Sequence, residues 1–474
     1  VQLAYKYKLK PTAQQLDIFK IWIELCRRQY NYRLGERFSW WESTRTPINA
    51  CPLTCSITPI QEIYKNIPEF RVQTRDGRKK DINGKPITKT GDKHPNIVNG
   101  YVQWQAVQLA DQKHTKKLFP EYKELDSQVF QDVVNRVESA FARFTTPDQN
   151  GNRSGKPRFK GKHYYKSFTY TQLYNSDVTK DESGRFCVNL AKIGLVPMVF
   201  HCPVPDGFKV KTGTIIREAD GWYINLTLED KDVPVTTVAE IQPTERNSLG
   251  IDLGVENYAA LSTGEMVEHP RFLKTSANKL AKLQQRLSKH KKHSKPWKII
   301  KVKIAKLHQH IACQRLDFQF KLAYWIFGKC DVLFIEDLKL KHLTRRAKAK
   351  IDNSGRWLPN GQAAKSGLNK SMLDAAHGQS VQVLKFVAWK LGKVVSVVDP
   401  RGTSQHCWDC LEEVSKELKD RWHSCQCGQE LHRDDNSAKL IKKIGLICAN
   451  SGDGTASLKT ALGLLTERSQ RSVA

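Results

Sequence analysis

The chain has 474 residues and carries a formal net charge of +29 at pH 7, with 77 Lys or Arg against 48 Asp or Glu. This excess favours a polyanionic partner, and hydrophobic residues at 39% exclude a wholly disordered protein. No segment approaches the roughly 20 consecutive apolar residues of a membrane-spanning helix. The first residues resemble neither a secretory signal nor a transit peptide. We expect a soluble, intracellular protein of roughly two to four domains.

The N-terminal half predicts helices inserted into a strand-rich module. Residues 3–9 alternate apolar and polar side chains like a half-buried strand, and Thr12 with Gln15 forms a capping-box pattern before a helix. A second helix is expected over about 129–144 and ends before Thr146-Pro147. Short alternating runs over 158–235 predict an all-β module, a small barrel that the N-terminal strand completes.

From residue 248 the pattern changes to mixed α/β. A hairpin is predicted first, then a long helix with one apolar stripe, then the buried strand VLFIEDL. A polar loop at 350–370, a helix at 371–391 and the strand KVVSVVD follow. A last helix is expected to begin near Asp434, and about the last 20 residues read as a polar tail.

Three acidic residues stand at the ends of predicted buried elements: Asp252 in GIDLG, Glu336 in FIEDL and Asp434 in HRDDNSA. A buried carboxylate is costly unless a cation compensates its charge, and carboxylates suit Mg²⁺ or Mn²⁺. Two such ions can activate water and stabilise the leaving 3′-oxygen in phosphodiester hydrolysis. Each acid also has a structural explanation, and Asp337 and Asp435 are the neighbouring alternatives.

The glycines of GIDLG have a separate interpretation. Gly250 and Gly254 are expected to let a phosphate backbone approach closely, because glycine has no side chain to block it.

The cysteines fall into two classes. Eight stand alone, mostly within apolar runs, and are interpreted as buried thiols of a reducing compartment; they are Cys26, Cys51, Cys55, Cys187, Cys202, Cys313, Cys330 and Cys448. The other four lie near the C-terminus as C-x₂-C and C-x-C, namely Cys407, Cys410, Cys425 and Cys427. This pattern predicts a structural zinc site, in which His406 or His423 is an alternative to one sulfur.

Basic residues gather in three regions, which are 268–317, 158–170 and 339–350. Between Glu268 and Asp317 there are 14 Lys or Arg and no acid, which, with an apolar stripe, predicts a helix that packs on one side and meets phosphates on the other. Over 158–170, aromatic residues alternate with Lys and Arg. Such rings suit either stacking on unpaired nucleotides or packing in the core of a barrel. The residues expected to contact nucleic acid are Arg158, Lys160, Lys162, Lys291, Lys292, Lys298, Arg345 and Arg346.

These motifs, in this order, resemble the RuvC nuclease of TnpB proteins, which are transposon-encoded and related to type V CRISPR effectors. The resemblance also covers LAYKYKLKPTAQQ and GKPRFKGKHYY in the N-terminal half. It implies an RNA-guided DNA endonuclease that cuts beside a short adjacent motif. Asp252, Glu336 and Asp434 would be its catalytic Mg²⁺ or Mn²⁺ ligands, and the four clustered cysteines would bind structural zinc.

The resemblance also implies an architecture, partners and a location. The expected fold is multidomain: an RNase H-like RuvC domain with a zinc ribbon, and an N-terminal wedge-like β-barrel with an inserted helical recognition domain. Guide RNA and target DNA are the expected partners, a monomer is favoured, and the location is the prokaryotic cytoplasm, in association with the nucleoid. The implied boundaries are 1–11 and 147–240 for the wedge, 12–146 for the recognition domain with a polar insertion at about 66–120, 248–402 and 430–450 for the nuclease, 403–429 for the zinc ribbon and 451–474 for the tail.

Other functions stay open at this point. A nuclease-silent RNA-guided DNA-binding protein, serving as a repressor or a transposition targeting factor, is the main alternative. A guide-independent transposase or junction resolvase is another. The insertion leaves both a transposon and a CRISPR association open, and the C-x-C pair leaves open whether that half binds metal. We also expect the loop at 350–370 to be a mobile lid over the cleavage site.

Overall fold

The computed structural model describes residues 1–43, 97–98, 101–102, 104–149, 151–233, 236–339, 343–417, 420–449 and 456–473. The chain divides into two compact units, Val1–Val233 and Pro234–Ala474, and each mixes helices with sheet, as expected for the mixed α/β class. Most of the predicted insertion at 66–120, with Cys51 and Cys55, lies outside the described residues. Within those residues, every helix is too short or too polar to cross a membrane.

The first unit is built on a seven-stranded antiparallel sheet. Its strands, with one separate short hairpin (β2 and β3), are β1 (Gln2–Leu9), β2 (Ile97–Val98), β3 (Tyr101–Val102), β4 (Ser167–Tyr170), β5 (Val178–Lys180), β6 (Phe186–Leu190), β7 (Gly194–Val199), β8 (Lys209–Arg217) and β9 (Trp222–Glu229). The order in the sheet is β4-β8-β9-β1-β7-β6-β5. β1 pairs with β9 along its whole length, so the N-terminal strand completes the sheet as predicted. The pairing ends at β4 and β5, and closure into a barrel stays a prediction.

The described part of this unit also contains four α-helices, of which the first and the last contact the sheet. They are α1 (Ala13–Ser43), α2 (Trp104–Ala110), α3 (Gln112–Leu118) and α4 (Ser127–Thr145). The predicted capping box is confirmed, because the backbone N–H of Thr12 donates to Gln15 Oε1 at 3.0 Å and that of Gln15 donates to Thr12 Oγ1 at 3.3 Å. The apolar face of α1 packs on the sheet, where the rings of Trp22 and Phe168 lie 5.4 Å apart.

The second unit is built on a five-stranded sheet in the order β12-β11-β10-β13-β16. The strands of this unit are β10 (Ser248–Asp252), β11 (Asn257–Leu261), β12 (Met266–Glu268), β13 (Val332–Glu336), β14 (Lys350–Ile351), β15 (Trp357–Leu358), β16 (Val394–Val398), β17 (Trp422–Ser424) and β18 (Glu430–His432). β10, β13 and β16 run parallel, while β11 pairs antiparallel with β10. The predicted hairpin, the buried strand β13 and the strand β16 are therefore confirmed.

The helices of the second unit are α5 (Val238–Ile241), α6 (Phe272–Thr275), α7 (Ala277–Ser288), α8 (Lys295–Phe327), α9 (Gln362–Ala375), α10 (His377–Lys390), α11 (Arg433–Ala449) and α12 (Leu458–Val473). The long predicted helix is α8, and the last predicted helix is α11. One face of the sheet is covered by α8 and α10, whose apolar side chains share a buried cluster with β10 and β13. The opposite face is covered by α11 and α12.

Three predictions about this unit are wrong. The segment at 350–370, predicted as a loop, contains the β14–β15 hairpin and the start of α9, because Gln-Ala-Ala-Lys after Gly361 are strong helix formers. The helix predicted at 371–391 is instead two helices that meet at Ala376, whose φ is +53°. The segment at 451–474, predicted as a polar tail, includes α12, whose Leu458 and Ala461 are buried.

Two glycines allow α11 to lie very close to the sheet. A Cβ on Gly250 would lie 2.2 Å from the carbonyl oxygen of Ala438, and one on Gly445 would lie 2.2 Å from Cδ1 of Phe334. Gly250 and Phe334 are partners in the parallel β10–β13 pair, so both contacts fall on one level of the sheet. The structure thus gives Gly250 a packing role, and the expected space for a phosphate backbone is filled by α11.

Replacing Gly250 by Ala is expected to destabilise the second unit by about 1–3 kcal/mol, because backbone atoms of α11 must move to admit the methyl group. The matched control is Gly367→Ala, inside α9, where an added Cβ meets nothing within 4 Å. That change should stabilise by about 0.5–1 kcal/mol, because alanine loses less backbone entropy in a helix. Denaturant unfolding of both variants measures the difference, and equal effects would contradict the packing role.

Candidate functional site

The sheet of the second unit brings two of the three predicted acids to one edge. Asp252 is the last residue of β10 and Glu336 the last of β13. These strands are parallel neighbours in which Ile251 lies opposite Ile335. Each acid is the next residue on its strand, so the two acids lie side by side at the same edge of the sheet. The carboxyl ends of parallel strands are where α/β proteins commonly place their functional groups.

The close packing of α11 brings the third acid to the same edge. Asp434 lies in the first turn of α11, one turn before Ala438, whose carbonyl oxygen faces Gly250. Gly250 precedes Asp252 by two residues on β10, so the start of the helix points toward the end of the strand. Asp434 is buried, with 8% of its surface exposed.

The charges of the three acids interact. Burial raises the pKa of Asp252 well above its usual value, and the negative charges of Glu336 and Asp434 raise it further, while Arg433 opposes the rise. Burial also raises the pKa of Glu336. A buried carboxylate whose ionisation is opposed by burial and by two neighbouring acids marks a site that a divalent cation would stabilise.

The neighbouring acids have other partners. Asp435 Oδ2 accepts from Lys439 Nζ at 2.9 Å, an ion pair one turn along α11. Asp337 is exposed beyond the end of β13. The structure therefore distinguishes the two acids of each neighbouring pair. Glu336 and Asp434, and not Asp337 or Asp435, interact electrostatically with Asp252.

Two buried residues that the sequence analysis did not identify hold the acids in place. The hydroxyl of Thr403 donates to Glu336 Oε1, which opposes the burial-driven rise in the pKa of that acid. Nε2 of His377, the first residue of α10, lies 2.8 Å from the carbonyl oxygen of Gly254. Burial lowers the pKa of His377 to about 4, so its ring is neutral and Nε2–H is the donor. This bond fixes the turn directly after Asp252.

The four clustered cysteines converge. Their sulfur atoms all lie within 4.8 Å of one another, and this is the one such group of possible metal ligands found in the described ranges. The Sγ atoms of Cys407 and Cys427 are 3.7 Å apart, and those of Cys410 and Cys425 are 3.5 Å apart. Tetrahedral Zn–S bonds of about 2.3 Å place sulfurs about 3.8 Å apart. The cluster, including its C-x-C half, can therefore hold a zinc ion.

The two histidine alternatives are not part of this sulfur group. His406 Nδ1 lies 3.0 Å from the carbonyl oxygen of Gly402. His423 is fully buried in β17, and neither of its ring nitrogens has a hydrogen-bond partner among the described residues. The ligand set that the structure supports is four sulfurs.

A buried asparagine connects the cysteine cluster to the acidic edge. Asn436 lies two residues after Asp434 on α11 and is fully buried. Its Oδ1 accepts from the backbone N–H of Trp408 at 3.0 Å, and its Nδ2 donates to the carbonyl oxygen of His406 at 2.8 Å. The chain around the first cysteine pair is thereby attached to the helix that carries Asp434.

The predicted nucleic-acid residues lie on the surface. All are exposed except Lys160, which is half-buried; its backbone N–H donates to Asn31 Oδ1 at 2.7 Å and so attaches this segment to α1. The interleaved rings divide between the two interpretations. Phe159 and Tyr164 are 51% and 81% exposed, whereas the other rings are buried in the core; these are Tyr165, Phe168 and Tyr170.

Three family models match the chain at separate places. One described as a probable transposase, OrfB_IS605, matches residues 228–347, which include Asp252 and Glu336. A Cas12f1-like TNB domain matches residues 377–441, which include the four clustered cysteines and Asp434. A helix-turn-helix domain model matches residues 1–46.

Curated proteins are similar over much of the chain. A protein of Streptomyces pristinaespiralis, provisionally named an RNA-guided DNA endonuclease, is 28% identical over 79% of this chain and 86% of its own length. InsQ of Escherichia coli (strain K12), with the same provisional name, is 31% identical over 61% of this chain and 66% of its own length. A TnpB-like protein, L79, of Acanthamoeba polyphaga mimivirus is 24% identical over 45% of this chain and 40% of its own length.

Among solved structures, a Cas12f1-sgRNA-target DNA complex is similar at 14% identity and a TM-score of 0.28, covering 93% of this chain and 99% of that one. The family models match in the order in which the motifs occur along the sequence. Together with the curated relatives, they show that this chain belongs to the TnpB family of transposon-encoded proteins, which is related to the type V CRISPR effectors.

Proposed function

We propose that this protein is an RNA-guided DNA endonuclease and that Asp252, Glu336 and Asp434 form its hydrolytic site. The observation that carries the proposal is the electrostatic contact of three acids that lie far apart in the sequence but share one sheet edge. The names of the relatives from Streptomyces pristinaespiralis and Escherichia coli (strain K12) supply the substrate, DNA, and the guide, RNA.

The three acids are the proposed ligands of Mg²⁺ or Mn²⁺, whose hard oxygen chemistry matches carboxylates. Bound there, a pair of such ions would lower the pKa of water and stabilise the leaving 3′-oxygen. The protein contributes the positions of the acids. Thr403 orients Glu336 through its hydroxyl, His377 fixes the turn after Asp252, and the contact at Gly250 sets the start of α11.

Zinc in the cysteine cluster is proposed to be structural. Four thiolates fill a tetrahedral coordination shell and leave no position for water or substrate. The zinc ribbon at 403–429 would stabilise the segment that Asn436 attaches to α11.

The remaining assignments complete the proposal. The β-sheet and inserted helices of Val1–Val233 are proposed as wedge and recognition domains, and Pro234–Ala474 as the RNase H-like RuvC nuclease with its zinc ribbon. Exposed basic residues, such as Lys291, Lys292 and Lys298, would bind phosphates of the guide and the target. A short target-adjacent motif, a monomeric state and a cytoplasmic, nucleoid-associated location belong to the same proposal.

The decisive experiment uses the full chain with its copurified RNA. The RNA is sequenced, and a plasmid carrying the matching target beside a randomised flank is incubated with the complex in Mg²⁺. We expect cleavage that stops in EDTA and after ribonuclease treatment. Cleavage that survives ribonuclease would identify a guide-independent nuclease, and stable target binding without cleavage would identify a nuclease-silent binding protein.

Removing the His377 donor is expected to slow cleavage by about 10- to 100-fold, the usual effect of losing a group that orients a metal ligand. His377→Leu should also raise the Mg²⁺ concentration needed for half-maximal rate, with target binding unchanged. His377→Gln, whose side-chain N–H can donate to Gly254, should recover part of the rate. Single-turnover cleavage across a Mg²⁺ titration measures both effects, and equal rates for the two variants would rule out the positioning role.

A further inference from the structure

The β14–β15 hairpin carries an exposed tryptophan. Trp357 is 72% exposed, and Ile351, its partner across the hairpin, is 54% exposed. Opposed residues of an antiparallel pair lie on the same face, so the ring and its aliphatic neighbour form one surface. An exposed apolar surface rimmed by polar groups is typical of an interaction site.

The hairpin is held in a defined conformation. In its turn, Asp352 Oδ1 accepts from the backbone N–H groups of Ser354 and Arg356 at 2.9 and 2.8 Å. The preceding segment is attached to α9, because Lys365 Nζ donates to the carbonyl oxygen of Leu343 at 2.7 Å and Asn369 Nδ2 donates to that of Thr344 at 2.9 Å. The ring of Trp357 is therefore presented on a scaffold that its own sequence builds.

The same segment concentrates positive charge. Five exposed cations lie between Leu343 and Asn360, and none of them forms an ion pair within the described part of the chain; they are Arg345, Arg346, Lys348, Lys350 and Arg356. The one acid of this segment, Asp352, is occupied by the turn. We call Trp357, Ile351 and these five cations the tryptophan platform.

We propose that the tryptophan platform binds unpaired nucleotides of a single-stranded nucleic acid, with a base stacked on Trp357 and phosphates on the surrounding cations. An aromatic surface combined with a positive groove is the usual means of binding single strands without reading their sequence. A duplex hides its bases, and a second copy of the chain would bring two sets of five cations together. The proposal deepens the proposed function and rests on it for the origin of the strand.

Both guide RNA and displaced DNA offer this chemistry, and crosslinking separates them. Cleavage after Arg and Lys releases Trp357–Lys365 as one peptide. In the assembled guide–target complex, ultraviolet crosslinking followed by mass spectrometry should find this peptide carrying a ribonucleotide if the strand is guide RNA, or a deoxyribonucleotide if it is DNA. Absence of any adduct on it, when other peptides of the same complex are crosslinked, would count against the proposal.

The binding test uses the full chain freed of RNA, with labelled oligothymidine and a duplex of the same length. Trp357→Ala should weaken single-strand binding about tenfold, as expected for the loss of one stacked base, and leave duplex binding unchanged. Trp357→Phe should retain most of the affinity. The matched control is Trp325→Ala, because that ring is 41% exposed but covered by Lys329 Nζ at 4.1 Å, and we expect no effect.

Salt dependence separates stacking from charge. The double variant Arg345→Gln, Arg346→Gln should lower the slope of log affinity against log salt by about 1.4, or about 0.7 for each lost phosphate contact on a single strand. Trp357→Ala should leave that slope unchanged. Equal affinity of Trp357→Ala and wild type for oligothymidine would overturn the proposal. These binding assays involve no cleavage, so a failure of the nuclease proposal alone would leave their result standing.

Discussion

Replacing Asp252 by Asn is expected to reduce DNA cleavage by more than about 100-fold, while guide RNA and target DNA remain bound. Loss of a group that merely orients a metal ligand costs about 10- to 100-fold, and Asp252 is proposed as a ligand itself. Both Glu336 and Asp434 raise the pKa of this carboxylate, so it interacts with each of the other two acids. Single-turnover cleavage and a filter-binding assay on the same preparations measure the two properties.

The control is Asp337→Asn, which removes an exposed acid next to Glu336. It should cleave at close to the wild-type rate, whereas Glu336→Gln should behave like Asp252→Asn. The reverse pattern would show that Asp337 is the ligand on β13. Loss of target binding in Asp252→Asn would contradict a purely hydrolytic role for this residue.

Replacing Asp252 by Asn should raise the free energy of unfolding when no divalent cation is present. Because the folded-state pKa of Asp252 is raised, folding favours the protonated acid, and stability falls as the pH rises from the unfolded pKa through the folded one. At neutral pH the ionised carboxylate is therefore destabilising, and the neutral amide removes that penalty. In EDTA, Asp252→Asn should melt a few degrees above the wild type. Mg²⁺ should raise the melting temperature of the wild type more than that of the variant.

The acids were predictable as candidates because each stands at the end of an apolar strand or at the start of an apolar helix. Burying a charge at such a position is costly unless another group compensates it. The residues that hold the acids were not predictable. Thr403 lies in a loop after β16. His377 is the first residue of α10, which was predicted to be one continuous helix with the end of α9. Their roles depend on contacts across the fold, with Glu336 and with Gly254, and a local pattern carries no information about such contacts.

The fold shows the same limit. Alternation and capping predicted β1 and the start of α1, because both depend on neighbouring residues. The role of Gly250 was misjudged, since the nearness of α11 is a property of the packed sheet. The predicted polar tail was wrong because the start of α12 buries Leu458 and Ala461, whereas neighbouring residues such as Lys459 are exposed and resemble a solvated segment.

Replacing Cys410 by Ser is expected to remove zinc from the purified protein and to unfold the cysteine segment. Apparent zinc-binding free energies of four-ligand sites are about 10–16 kcal/mol at pH 7, and this energy is also folding energy. The control is Cys313→Ser, which replaces an exposed cysteine on α8 outside the cluster and should leave the zinc content unchanged. Metal analysis of both proteins provides the measurement, and full zinc content in Cys410→Ser would exclude the four-sulfur site.

The zinc site should also fail on acidification. Without metal, the backbone N–H of Cys427 helps lower the pKa of Cys425 to about 7, whereas loss of hydration and the neighbouring thiols raise that of Cys410 to about 12. Zinc binds thiolates, so binding displaces protons and the affinity falls as the pH decreases. Zinc release followed by a chromogenic chelator should therefore accelerate as the pH decreases.

Loss of zinc should disturb the acidic edge through Asn436. This residue joins the backbone of His406 and Trp408 to the first turn of α11. Asn436→Ala is therefore expected to keep its zinc and slow cleavage, whereas Cys410→Ser loses both properties. If the zinc segment served only to bind target DNA, Asn436→Ala would cleave at the wild-type rate once target was saturating. Cleavage rates at saturating target thus separate support of Asp434 from a contribution to DNA affinity.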